Sequence, residues 1–201
     1  MPEYLYPGVY IEEIERGPRP IEGVPTSTAA FLGETERGPI KPMLCTSYND
    51  YKRLFGSVFG NRDRYMPYAV NGFFENGGRR AYVCRIAGQD WVTASLAVGA
   101  FTLNAIGPGT WANRVWVSVG DGTTLDKDKK PIGFRIKAAY WDKEPNGFEP
   151  FDPFLAENRA KLPRPALAED FDDLSVTPES PNYYPKRLDG NSALIKLLKN
   201  V

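Results

Sequence analysis

Histidine is absent from the 201 residues, and that one gap excludes more chemistry than any other. Ser-His-Asp and Cys-His nucleophile systems, histidine-ligated zinc and imidazole acid–base catalysis all require the missing side chain. Cysteine is nearly absent: Cys45 and Cys84 are the two, far apart and outside any C-x-x-C pair. Each sits beside apolar residues and reads as a small buried hydrophobe in a reducing cytoplasm, with a single disulfide between them left open. Long apolar runs are missing too, and none approaches the roughly 20 residues of a membrane helix. The opening Met1-Pro2-Glu3-Tyr4 lacks the basic and apolar regions of a signal peptide. Direct membrane insertion is therefore not expected. Neither charge dominates, with 25 Lys+Arg against 25 Asp+Glu, so nucleic acid is not expected as a partner either.

Turn formers, by contrast, are plentiful. The 19 Gly and 18 Pro predict many turns and short elements, and the 42% apolar share suffices for an ordinary core. Residues 1–25 read as an extended N-terminal arm, because Pro2, Pro7, Pro18, Pro20 and Pro25 break any helix. Within it, Val9-Tyr10-Ile11-Glu12-Glu13-Ile14 is a short β-prone run. A strand that short needs a partner. It is either an edge of the chain's own sheet or a strand donated to another subunit.

Residues 26–88 read as strand, helix, helix, strand. Ala29-Ala30-Phe31-Leu32-Gly33 predicts a strand buried on both faces. Ser47 or Asn49 can cap a helix carrying Tyr51, Leu54 and Phe55, with Gly56 as its stop. Pro67 suits the first turn of a second helix that aligns Val70, Phe73 and Phe74, and Asn76-Gly77-Gly78 ends it. Ala81 to Ile86 is then a second strand, parallel to the first. Two strands are a fragment of a sheet, so this is a partial α/β layer.

Residues 89–189 read as a small antiparallel β domain. Phe101 to Ile106, Val115 to Val119 and Phe134 to Tyr140 alternate, and Gly107-Pro108-Gly109 and Gly120-Asp121-Gly122 punctuate them. Lys143 to Pro165 is a Pro-rich surface excursion, and Glu169 to Val176 is a last strand or turn. Residues 190–201 return toward the first layer, with Ser192 capping a closing helix of Leu194, Ile195, Leu197 and Leu198. The fold class expected is therefore α+β.

No motif for chemistry survives scrutiny. Gly107-Pro108-Gly109 lacks the spacing of a phosphate loop and reads as a turn. A calcium loop from Asp126 fails at Pro131 and Lys137, leaving a hairpin tip. Glu169, Asp170, Asp172 and Asp173 could pair for glycoside hydrolysis, yet read better as a solvated turn or a rim facing basic groups of a partner. Lys127, Lys129 and Lys130 are balanced by aspartates and make no nucleic-acid patch. Trp91, Trp111, Trp116 and Trp141 read as packing residues, or as the platform of a β-sandwich glycan-binding module, the rival function. Catalytic, cofactor and metal sites are expected to be absent, and the chain is not expected to be an enzyme.

Several segments in order resemble the tail sheath proteins of contractile phages and related contractile injection systems. They are Pro7-Gly8-Val9-Tyr10-Ile11-Glu12-Glu13, then Ile21 to Ser27 with Ala29 to Pro39, then Phe55-Gly56. Ala69 to Gly78, Ala81 to Arg85, Gly107 to Arg114 and Glu169 to Ser175 continue the likeness over nearly the whole chain. It covers the N-terminal half of such proteins. Their C-terminal part completes the α/β domain and supplies the tube contact and a second arm.

The resemblance implies a structural subunit, or its N-terminal portion, in a sheath around an inner tube. Val9, Tyr10, Ile11, Glu12, Glu13 and Ile14 would be the strand donated between subunits, and contraction of a metastable lattice would drive tube ejection. The α/β layer would face the tube, with the β domain as an outward insertion. Implied partners are other sheath subunits in a helical homo-oligomer, the inner tube protein, and baseplate and tail cap proteins. Such a protein is assembled in the cytoplasm and ends in a virion tail or contractile injection particle.

Overall fold

The computed structural model describes residues 27–60, 64–99 and 101–197. The donated arm proposed at Val9 to Ile14 lies outside the described residues. The class is α+β: among the described residues, three small sheets and three α-helices account for the regular structure apart from two 3₁₀ turns.

The first sheet has the order β1-β3-β2, with β1 at Thr28–Gly33, β2 at Met43–Cys45 and β3 at Arg80–Arg85. β1 and β3 are parallel, as the crossover predicted, from Thr28↔Arg80 to Gly33↔Arg85. β2 was not anticipated and runs antiparallel to β3. Three residues between a proline and a helix cap are too short to show a period in sequence.

Helix α1, Tyr48–Phe55, starts where Ser47 Oγ accepts from Asp50 N at 3.1 Å, and Asp50 in turn accepts from Thr46 N at 3.0 Å. It stops at Gly56, whose φ of 87° is glycine territory. Helix α2, Met66–Glu75, has Pro67 in its first turn. Both helices cover the same face of the sheet. Tyr51, Phe55, Met66 and Val70 pack there with Cys45, Ala81 and Val83, and Phe31 meets Phe73 edge-on.

Two further sheets build the β domain. One is β4-β5-β9, with β4 at Ser95–Val98, β5 at Phe101–Ala105 and β9 at Ile195–Leu197. The other is β6-β7-β8, with β6 at Val115–Asp121, β7 at Phe134–Tyr140 and β8 at Leu167–Leu174. Ile136, Ala138 and Tyr140 from β7 share a core with Leu103, Ala105, Leu174, Leu188 and Ile195. A short helix α3, Tyr184–Leu188, supplies Leu188 and was not anticipated.

Three expectations need correction. The strand at Ala29 to Gly33 is not buried on both faces: Leu32 is 70% exposed, because helices cover one side only. The closing helix is instead strand β9, antiparallel to β5 with Ala105↔Ile195 and Leu103↔Leu197. Ser192 Oγ does accept from Leu194 N and Ile195 N, as an N-cap would. No helix follows, since Ile195-Lys196-Leu197 alternates and a free strand edge lies within reach. The acidic cluster is not a solvated turn: of the strand or turn left open at Glu169 to Val176, the strand forms, and Glu169, Asp170, Asp172 and Asp173 belong to β8.

The excursion after Tyr140 carries only a 3₁₀ turn, at Ala156–Asn158, yet it is well anchored. Trp141 is fully buried, touches Phe148 and Phe151, and donates from Nε1 to Pro163 O at 2.9 Å. Lys137 and Asp152 pair at 2.6 Å.

Candidate assembly surface

The uncovered face of the first sheet follows from strand alternation. Odd positions of β1 and β3 point to the helices, so Ala30, Leu32, Tyr82 and Cys84 point the other way. The register lines up Ala30, Tyr82 and Leu44 across three strands, and sets Leu32 beside Cys84. Leu32, Leu44, Tyr82 and Ile86 are all exposed. A row of apolar side chains on a sheet face is a surface that gains free energy when covered. The outer edge of β1 has no partner strand among the described residues, so its backbone groups are open to strand addition.

A buried polar joint connects this sheet to the β domain. Arg37 is 2% exposed and donates to Lys52 O at 2.9 Å and to Leu54 O and Ala193 O at 3.4 Å each. The first two carbonyls end α1, where the helix dipole favours a cation. Its guanidinium also lies 5.3 Å from the Tyr140 ring centroid. Burial lowers the Arg37 pKa, and the nearby Glu36, Tyr140 and Glu169 act against that. Glu36 accepts from Tyr140 Oη at 2.6 Å and from Ser57 N at 2.9 Å. On the other side, Arg85 Nη1 donates to Gly38 O at 3.0 Å and Pro108 O at 2.7 Å. Two Gly-Pro turns, Gly38-Pro39 and Gly107-Pro108, thus meet under one arginine. Nothing in the sequence alone marks a role for Glu36, Arg37 or Arg85. The nearest thing to a signal is a charged pair wedged between an apolar strand and a Gly-Pro turn.

The acidic cluster is spent within the chain. A bulge on β8 places Asp172 and Asp173 opposite Arg135, and Asp173 has a φ of 50°. Asp172 and Asp173 accept from Thr123 N at 3.0 Å and Thr124 N at 2.9 Å, and Asp170 pairs with Arg135. Glu169 accepts from Ser192 Oγ and from Ala193 N at 2.8 Å. Asp126 Oδ1 accepts from Asp128 N and Lys130 N, which fits the hairpin tip. The tryptophans share no exposed face: Trp111 and Trp141 are buried, and only Trp91 is half exposed.

Both cysteines are free and lie on opposite faces of the first sheet. Cys45 is fully buried, and burial, with Asp50 adding to it, pushes its thiol up to about 11. Iodoacetamide on the native protein is therefore expected to label Cys84 first and to spare Cys45 until unfolding. Peptide mass mapping reads this directly, and equal labelling would contradict the burial of Cys45.

No group of acidic or cysteine side chains among the described residues is arranged to hold a metal ion. No helix among them is long and apolar enough to cross a membrane. Compared with known proteins, the chain matches no protein-family model, and a search of curated proteins finds no match to it.

Proposed function

We propose that the chain is a structural subunit, or the N-terminal portion of one, of a contractile tail sheath surrounding an inner tube. The observation that carries this reading is the first sheet, with helices on one face, exposed apolar side chains on the other and, among the described residues, no strand on the outer edge of β1. A protein made for assembly leaves such surfaces for its neighbours to cover. The ordered likeness of Pro7 to Glu13, Ala29 to Pro39 and Ala81 to Arg85 to sheath proteins supplies the family. Strand donation by Val9 to Ile14 would link subunits through main-chain hydrogen bonds, which survive when a linker bends. Contraction is then a rigid-body re-packing of subunits, with the work stored in the lattice.

Contractile particles purified from cells making the chain provide the test. The chain is expected in many copies, comparable to the inner tube protein. Deleting Met1 to Gly17, or changing Leu32→Glu, should leave a folded protein that no longer enters particles. Ile11→Pro should do more harm than Glu12→Ala with Glu13→Ala, since exposed ion pairs contribute only about 0–1 kcal/mol. Normal incorporation of both the deletion and Leu32→Glu would sink the proposal.

A further inference from the structure

The cleft beside the joint, about 520 Å³ in volume, has a chemistry that assembly does not use. Arg85 lines it and is only 9% exposed. Its Nη1 is held by the carbonyls of Gly38 and Pro108, its Nε is buried with no acceptor, and Nη2 has no partner among the described residues. Arginine stays charged in proteins, and a buried charge is costly unless something pairs with it. Burial lowers the Arg85 pKa, and no carboxylate among the described residues offsets it. Arg37 differs, since Glu36 and Glu169 surround it.

The surroundings of Nη2 are open and cationic. Gly109 borders it, and a Cβ there would stand 3.3 Å from Nη2, so the bare glycine keeps that nitrogen uncovered. Arg64, Arg114 and Lys143 line the same cleft, against Glu36 and Asp142. Glu36 is already engaged by Tyr140 and Ser57, and Arg64 pairs with Glu34 across the rim. Among the described residues, Arg64, Arg85, Arg114 and Lys143 stand against Glu34, Glu36 and Asp142, which leaves a small excess of positive charge around an unpaired guanidinium nitrogen. Oxyanions bind such groups through short, charge-assisted hydrogen bonds.

We propose that this cleft is a binding site for an oxyanion, a phosphate or a carboxylate, with Arg85 Nη2 as its central donor. Arg64, Arg114 and Lys143 supply the surrounding charge. The site stands on its own geometry and does not depend on the sheath reading.

Titration calorimetry on the full chain tests it, with inorganic phosphate and glutarate as probes and sodium chloride at equal ionic strength as the control. Saturable binding of at least one oxyanion is expected, with none for chloride. Lys143→Ala, on an exposed residue outside both cores, should weaken binding about fivefold without shifting the unfolding temperature of the free protein. Arg85→Lys, which keeps the charge but loses the planar fork, should abolish binding while circular dichroism reports a native fold. Lys127→Ala, on the hairpin tip, should leave binding unchanged and serves as the general charge control. A preference for phosphate identifies a free or covalently carried phosphate as the ligand. Comparable binding of glutarate identifies a carboxylate; if a second copy of the chain supplies it, self-association appears that phosphate competes away. Absence of saturable binding by both probes, or equal weakening by Lys127→Ala, overturns the site.

Discussion

Replacing Gly107 with alanine is expected to destabilise the protein by about 3 kcal/mol, at the upper end of what overpacking costs. The added Cβ would stand 2.0 Å from Gly38 O, 2.8 Å from Gly38 C and 3.1 Å from Pro39 Cα. All three are backbone atoms, so no side-chain rotation relieves the clash. Gly38 has no freedom to retreat. Its own φ is 107°, and its Cα already lies where a Cβ would meet Leu54 O at 2.6 Å. The two turns must therefore separate, which pulls Gly38 O and Pro108 O away from their shared donor on Arg85. Urea denaturation measures the loss. Gly120→Ala is the control, since a Cβ there meets nothing within 4 Å, and its change should stay within about 0.5 kcal/mol. Equal stability of the Gly107 and Gly120 variants would mean that the turns do not touch.

Arg37→Met is expected to cost a similar amount, about 3 kcal/mol, for a different reason. Replacing a buried ion pair with apolar groups is often harmless because both charges leave together. Here the partners are the carbonyls of Lys52, Leu54 and Ala193, which no side-chain change removes. Lys52 O keeps the Gly56 amide as a donor, but Leu54 O and Ala193 O would remain buried without one, and the cation over Tyr140 would be lost as well. Relief of the desolvated guanidinium offsets only part of this. Arg37→Lys should recover a minor share, since a single ammonium cannot span three carbonyls in a plane. Because Arg37 ties the helical layer to the turn that leads into β9, Arg37→Met should also broaden the unfolding transition. A variant as stable as the parent, with an unchanged slope, would show that the joint contributes little.

The legible parts of the fold were those whose signal is local. Ser47, Gly56 and Pro67 mark the ends of α1 and α2 through capping and backbone rules that act within a few residues. The alternation of Phe134 to Tyr140 was equally direct, and β7 occupies those residues. What was misread depends on distant partners. Leu194-Ile195-Lys196-Leu197 has apolar residues that satisfy either a helical or a strand pattern. The open edge of β5, about ninety residues earlier in the sequence, decides the matter. The exposure of Leu32 is of the same kind, because an apolar strand reads as doubly covered until the layers around it are counted. The site was harder still. Arg85 reads as the charged end of a strand, and only the approach of Pro108 and Gly38 reveals that it is buried.

Strand β9 and the two residues before it also set a timetable for synthesis. Ala193 packs into the helical core, Leu194 and Ile195 into the β core, and Glu169 grips the turn at Ser192 and Ala193. Until that stretch has left the ribosome, neither core is closed and Arg37 lacks one of its acceptors. The strands made earlier wait on β9. A nascent chain therefore carries its bare apolar sheet face through translation before the body behind it is firm, and this is the interval in which a chaperone has most to offer.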